Sequence, residues 1–172
     1  MKLFFTCGMM FSFLFGCASL GYQSPRYVKL AAEITEKTAQ KLKGKKNLYL
    51  IGTGGGMMND IQMMAMSFHF YQEVDLKKAR ELVVYAVNEY LLDINNNEEI
   101  KPYLHEFPFT AKNVEIRIFI YKPDGTCPSL DKIDYISAIN GILTYYLDLP
   151  ETYSRRAICK ETYEEALQAI SF

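Results

Sequence analysis

Apolar positions recur along this chain with two periods. Tyr27, Leu30, Ala31, Ile34, Thr38 and Leu42 fall three and four apart, the spacing of one helical face. They predict a helix over 25–43, with Ser24 as N-cap, Pro25 at the first helical position and Gly44 as the stop. A longer stripe of Leu76, Ala79, Val83, Ala86, Val87, Tyr90, Leu91 and Ile94 follows Asp75 and closes at Asn95, Asn96 and Asn97. It predicts the main helix covering a sheet, with Asp75 as its N-cap. Elsewhere the period is two: Met64, Met66, Phe68 and Phe70 alternate with Ala65, Ser67, His69 and Tyr71, and Val114, Ile116, Ile118 and Ile120 alternate with Glu115, Arg117, Phe119 and Tyr121. Alternation of this kind marks a strand buried on one side.

Further strands are predicted over 47–51, 133–139, 142–149 and 153–160. The two middle ones flank Asn140-Gly141, the strongest hairpin signal in the chain. Thr162 and Glu165 are spaced as a capping box, and Tyr163, Ala166, Leu167 and Ile170 then share one side of a short terminal helix. Consecutive strands joined by short turns imply antiparallel pairing. The expected class is α+β, an antiparallel sheet of about five to six strands with two main helices and a short C-terminal helix packed on one face.

Composition narrows the function classes. Lys and Arg number 19 against 20 Asp and Glu, a net charge of −1, which gives no electrostatic reason to bind nucleic acid. Abundant Tyr and Phe argue for a packed core. Lys37, Lys41, Lys43, Lys45 and Lys46 gather at the end of the first helix, where cations suit the helix dipole and solvent; contact with anionic headgroups is the functional alternative.

The first seventeen residues read as a targeting segment. Lys2 gives a positive start, 3–15 is a mostly apolar run, and Leu14-Phe15-Gly16-Cys17 closes it. That close resembles the lipobox of bacterial lipoproteins, although Phe15 is bulkier than the residue usual at its place. The resemblance implies cleavage after Gly16 and lipid on Cys17, so that 1–16 is a signal peptide, 17–23 a lipidated tether and 24–172 one domain. An ordinary secretory signal and a retained anchor are the alternatives; a spanning helix needs about 20 apolar residues, and this run is short and interrupted. The expected location is the cell envelope, with the protein anchored to a membrane through Cys17, the outer membrane where the cell has one. The short tether would hold the domain within about 20 Å of the lipid surface.

Removing Cys7 with the leader and placing lipid on Cys17 leaves Cys127 and Cys159. In an exported compartment the two are a candidate disulfide or a pair of free thiols. No cysteine or histidine spacing marks a metal site, and no cofactor is implied.

Two stretches carry candidate chemistry. Gly52, Thr53, Gly54, Gly55 and Gly56 follow a strand, with Asp60 close behind. Such a run can cradle an anion on its backbone N–H groups, or it can be a glycine hairpin or bulge between strands. The methionines around it, Met57, Met58, Met63, Met64 and Met66, read as adaptable packing. Between Pro102 and Pro108, Tyr103, His105, Phe107 and Phe109 recur every second residue. They form either an aromatic hook for a partner or a loop plugging the core edge.

His69 and His105 have no acid at a telling spacing, and no Ser/His/Asp set or carboxylate pair is recognisable. The leading expectation is a non-enzymatic binding or assembly domain facing an envelope protein. The alternatives are a small-ligand or anion site, enzymatic or not, on the glycine loop, and peptide binding by addition to a sheet edge.

Overall fold

The computed structural model of the chain describes residues 24–170. The first helix, α1 (Arg26–Lys46), runs through Gly44 and stops at Asn47, which adopts the left-handed conformation at φ 56°. Gly44 has no atom within 4 Å of a Cβ position, so nothing there ends the helix. The chain turns where Leu48, fully buried like Leu42, must enter the core. At the start Pro25, not Ser24, occupies the cap position, with no side-chain cap bond.

Two strands follow, β1 (Tyr49–Gly56) and β2 (Met63–Phe70), then α2 (Leu76–Asn95). The Asp75 carboxylate caps α2 by accepting from the Lys78 amide at 2.7 Å. Next come β3 (Val114–Ile120), β4 (Ile133–Ile139), β5 (Ile142–Leu149) and β6 (Ser154–Thr162), and α3 (Tyr163–Ile170) ends the described chain. Asn140 and Gly141 both take positive φ, 51° and 75°, as a two-residue hairpin turn between β4 and β5 requires. Thr162 and Glu165 form the reciprocal capping box at α3, with bonds of 2.7 and 3.2 Å.

The six strands form one sheet in sequence order. It is mixed and not wholly antiparallel: β2 and β3 run parallel, Met64 opposite Val114 through Phe70 opposite Ile120. The reason is α2 itself. A helix between two neighbouring strands returns the chain to the end where it started, so the second strand repeats the direction of the first.

All three helices lie on one face. The central α2 packs against β3, β4 and β5 and is flanked by α1, which lies over β1, and α3, which lies against β5 and β6. Met64, Met66, Phe68, Ile116, Ile118, Ile136, Leu143 and Tyr145 meet the helices and are buried to within 2%.

Polar contacts tie the helices together. The Thr35 hydroxyl donates to the Ala31 carbonyl, so the Tyr90 hydroxyl at 2.7 Å donates to Thr35. Burial pushes the Tyr90 phenol far up its scale. Lys41 reaches Asp93 at 2.9 Å and Glu89 at 3.0 Å, and Lys37 adds a longer contact to Asp93. Lys43 and Lys46 lie over the rings of Tyr49 and Tyr85. Four of the five clustered lysines are thus engaged within the protein.

Candidate functional site

The glycine run is neither a loop nor a turn. Gly52, Thr53, Gly54, Gly55 and Gly56 form most of β1 and pair in register with Ser67, Met66, Ala65, Met64 and Met63, after a bulge between Leu50 and Gly52. In an extended strand successive N–H groups point in opposite directions, so these amides do not converge on one anion. Only Gly55 is required by close packing: a Cβ there would lie 2.6 Å from Met57 Cε and 2.9 Å from the Met63 carbonyl oxygen.

As first strand of the sheet, β1 has one edge without a strand neighbour among the described residues. Its glycines hold that edge beside α1, and the two elements enclose a groove of about 410 Å³ lined by Val28, Ala32, Glu36, Thr53, Gly54 and Met57 among others.

The proline-flanked segment divides in two. Phe109 is buried and fastened by Asn95, whose side-chain amide donates to the Phe109 carbonyl at 2.9 Å and accepts from its N–H at 2.8 Å. Tyr103 is half-buried, its ring 5.9 Å from that of Tyr27. His105 and Phe107 face solvent, with Lys101 Nζ 4.8 Å from the Phe107 ring centre. The segment therefore plugs the core edge with two of its aromatics and exposes the other two rings.

A short parallel bridge joins it to Ile61, with Ile61 N–H donating to the Tyr103 carbonyl and His105 N–H to the Ile61 carbonyl. This bridge sets the His105 ring 2.7 Å from Asp60. The hydrogen bond and charge of Asp60 raise the imidazole above its ordinary value, and the same hydrogen bond holds the Asp60 carboxyl below the usual range. An oriented imidazole can accept or deliver a proton. A nucleophile-activating set would also need a hydroxyl, thiol or amine on the ring, and among the described residues the ring has only Asp60 as a hydrogen-bond partner.

The face away from the helices holds what the sequence reading missed. Tyr49, His69, Tyr71, Phe119, Tyr121, Tyr135 and Tyr146 form an aromatic band across β1 to β5, each ring centre 4.9–6.2 Å from the next. The Arg155 guanidinium extends it onto β6, lying 4.9 Å from the Tyr135 ring and 5.9 Å from Phe119. The signal was present as aromatics on the outward, nominally polar positions of successive strands. Strand order was needed to see that they touch.

Cys127 and Cys159 are both free, which corrects the candidate disulfide. Cys127 is exposed in the β3–β4 connection and shares a small pocket with Arg155. Cys159 lies opposite Tyr145 in the β5–β6 ladder. Arg155 and Cys159 lie four positions apart on β6, about 13 Å at the rise of a strand and beyond the reach of one disulfide.

Cys17 and the segment before it lie outside the described residues. Among those described, no helix is long and apolar enough to cross a membrane, and no group of three His, Cys, Asp or Glu side chains is placed to hold a metal. Comparison with protein-family models, with curated proteins and with solved structures found no match to this chain.

Proposed function

We propose that the chain is a non-enzymatic binding domain, held at a membrane of the cell envelope through lipid on Cys17, that captures a protein partner by pairing an extended segment of it with the free edge of β1. The observation that carries this reading is the contrast between the two edges of the sheet. Unpaired edges template association, and proteins blunt them with charges, proline or bulges. Both edge strands carry a bulge, but along β6 stand Arg155, Arg156, Lys160 and Glu161. Along β1 there is no charge and no proline in eight residues, and Tyr49 and Ile51 are 40% and 47% exposed.

An extended backbone matches the unpaired groups of such an edge, and the groove beside α1 offers room for its alternate side chains. Val28, Ala32 and Met57 suit small apolar ones. The anion-cradle reading of the same residues has less support, since a strand does not gather its amides to one point.

The test is selection of linear peptides from a random display library on the full chain, followed by amide hydrogen exchange. Selected peptides are expected to slow exchange in Gly52, Thr53, Gly54, Gly55 and Gly56, and the exposed substitution Ile51→Lys should abolish binding without lowering thermal stability. Protection centred on β6 or on the helices, or binding indifferent to Ile51→Lys, would overturn the assignment.

A further inference from the structure

At the β6 end of the aromatic band, the open face closes around a cavity of about 70 Å³ walled by Phe119, Tyr121, Cys127, Asp134, Asp148 and Arg155. We propose that this pocket binds the primary ammonium group of a lysine side chain on a partner protein. It stands apart from the β1 edge and does not depend on the reading of that edge.

Asp134 carries the argument. It sits at the irregularity that begins the β4 ladder, with its side chain only 8% exposed. One carboxylate oxygen, Oδ2, accepts from Arg155 Nε. The other, Oδ1, is buried and has no hydrogen-bond partner among the described residues. A buried acceptor left unmet is costly, and more so when it is charged, so the site is built to receive a donor.

Charge decides what kind of donor. Asp148 brings a second carboxylate, and Arg155 is the single cation in the wall, leaving one negative charge over. Burial raises the Asp134 carboxyl above its ordinary range and Asp148 pushes it the same way, against the pull of Arg155. A cation supplied from outside would oppose both effects. Two carboxylates without a third acid or histidine are a poor metal cage, and no such group of three occurs among the described residues.

Size and walls then choose among cations. A single water needs on the order of 10–15 Å³ of such space, so a notch of about 70 Å³ takes an ammonium with a short methylene stem. Phe119 and Tyr121 provide aromatic surface for such a stem and for the cation itself. Arg155, 43% exposed in its side chain, forms the rim.

Cys127 in the same wall makes the proposal testable on the full chain. Its thiolate attacks one sulfur of cystamine, giving a mixed disulfide and releasing cysteamine, and the adduct places an ammonium two methylenes from sulfur. The rate at Cys127, mapped by peptide mass, is compared with that for the uncharged bis(2-hydroxyethyl) disulfide, each divided by the rate of the same disulfide with N-acetylcysteine, which removes the difference between the two leaving thiols. Cystamine is expected to react about tenfold faster, equivalent to about 1.4 kcal/mol.

The preference should fall to about twofold in Asp134→Asn and in Asp148→Asn, and persist in Asp131→Asn, an exposed acid of the same connection. Asp148→Asn, whose carboxylate is less buried, serves if Asp134→Asn does not fold. Nα-acetyl-lysine amide should slow capture, whereas its norleucine counterpart should not. Equal rates for the two disulfides would mean a water-filled notch only. A preference lost equally in Asp131→Asn would mean a general surface field, and absence of competition by the lysine amide would exclude lysine; each result overturns the proposal.

Discussion

His105 Nδ1 lies 2.7 Å from Asp60 Oδ2, across 45 positions of sequence. The contact exists because the chain beside each residue is pinned to Ile61 by backbone hydrogen bonds, and it gives the pair a defined pH window. The raised imidazole contributes stability that is complete below the ordinary histidine value and lost as pH rises through the raised one. The lowered carboxyl contributes stability that is complete above the ordinary aspartate range and lost as pH falls through the lowered value. The full contribution therefore falls between the ordinary aspartate and histidine values. In an NMR titration the His105 ring should titrate above about 6.5, and Asp60→Asn should bring it back toward that value. An unchanged midpoint in the variant would refute the pairing.

Adjacent glycines of β1 should respond oppositely to alanine. At Gly55 the added methyl meets Met57 Cε at 2.6 Å and the Met63 carbonyl at 2.9 Å, and this overpacking should cost about 1–3 kcal/mol. At Gly54 the nearest atom is Ala65 Cβ at 3.7 Å, so alanine fits. It should stabilise by about 0.5 kcal/mol by restricting the unfolded chain. Urea denaturation of the two variants distinguishes them, and a stable Gly55→Ala would show that the Met63 strand yields.

Under the helices, Arg80 donates twice to Glu161, at 2.8 and 3.0 Å, and the Tyr145 hydroxyl donates to the same carboxylate at 2.6 Å. The charged side chains are 17% and 12% exposed, so Glu161→Ala strands a largely buried guanidinium. A loss of about 3 kcal/mol is expected, much of it recovered in Arg80→Met/Glu161→Leu, where no charge remains. Denaturant midpoints of the single and double variants provide the check; additive losses would contradict it.

Lipid on Cys17 predicts incorporation of a labelled fatty acid and retention in the membrane fraction. Both should disappear in Cys17→Ser. Continued membrane retention of that variant would point to the uncleaved run 3–15 as the anchor.

Much of the fold was legible because its signals are local. Asp75 caps α2 through the amide three residues on, Thr162 and Glu165 close their box within one turn, and Asn140-Gly141 reverses the chain in two residues. Each depends on neighbours in sequence. Gly44 misled because glycine permits a helix end without requiring one, and burial of Leu48 set the stop at Asn47. The candidate site was less legible. Tyr103, His105, Phe107 and Phe109 alternate as a strand would, yet Asn95 and the bridge to Ile61 sort them into buried and exposed pairs.

The sequence by itself determined the apolar faces of α1, α2, β2 and β3, since periods of 3.6 and 2 place apolar side chains on one side whatever lies opposite. Tertiary structure alone decided that β2 and β3 run parallel, that the glycine run is an exposed edge, and that seven rings meet on the open face. It also brought Asp134 to Arg155 and His105 to Asp60. The physical reason is that these depend on strand order and register. Packing α1, α2 and α3 over one face fixes both at once, through burial summed over the whole sheet and not through any single stretch of chain.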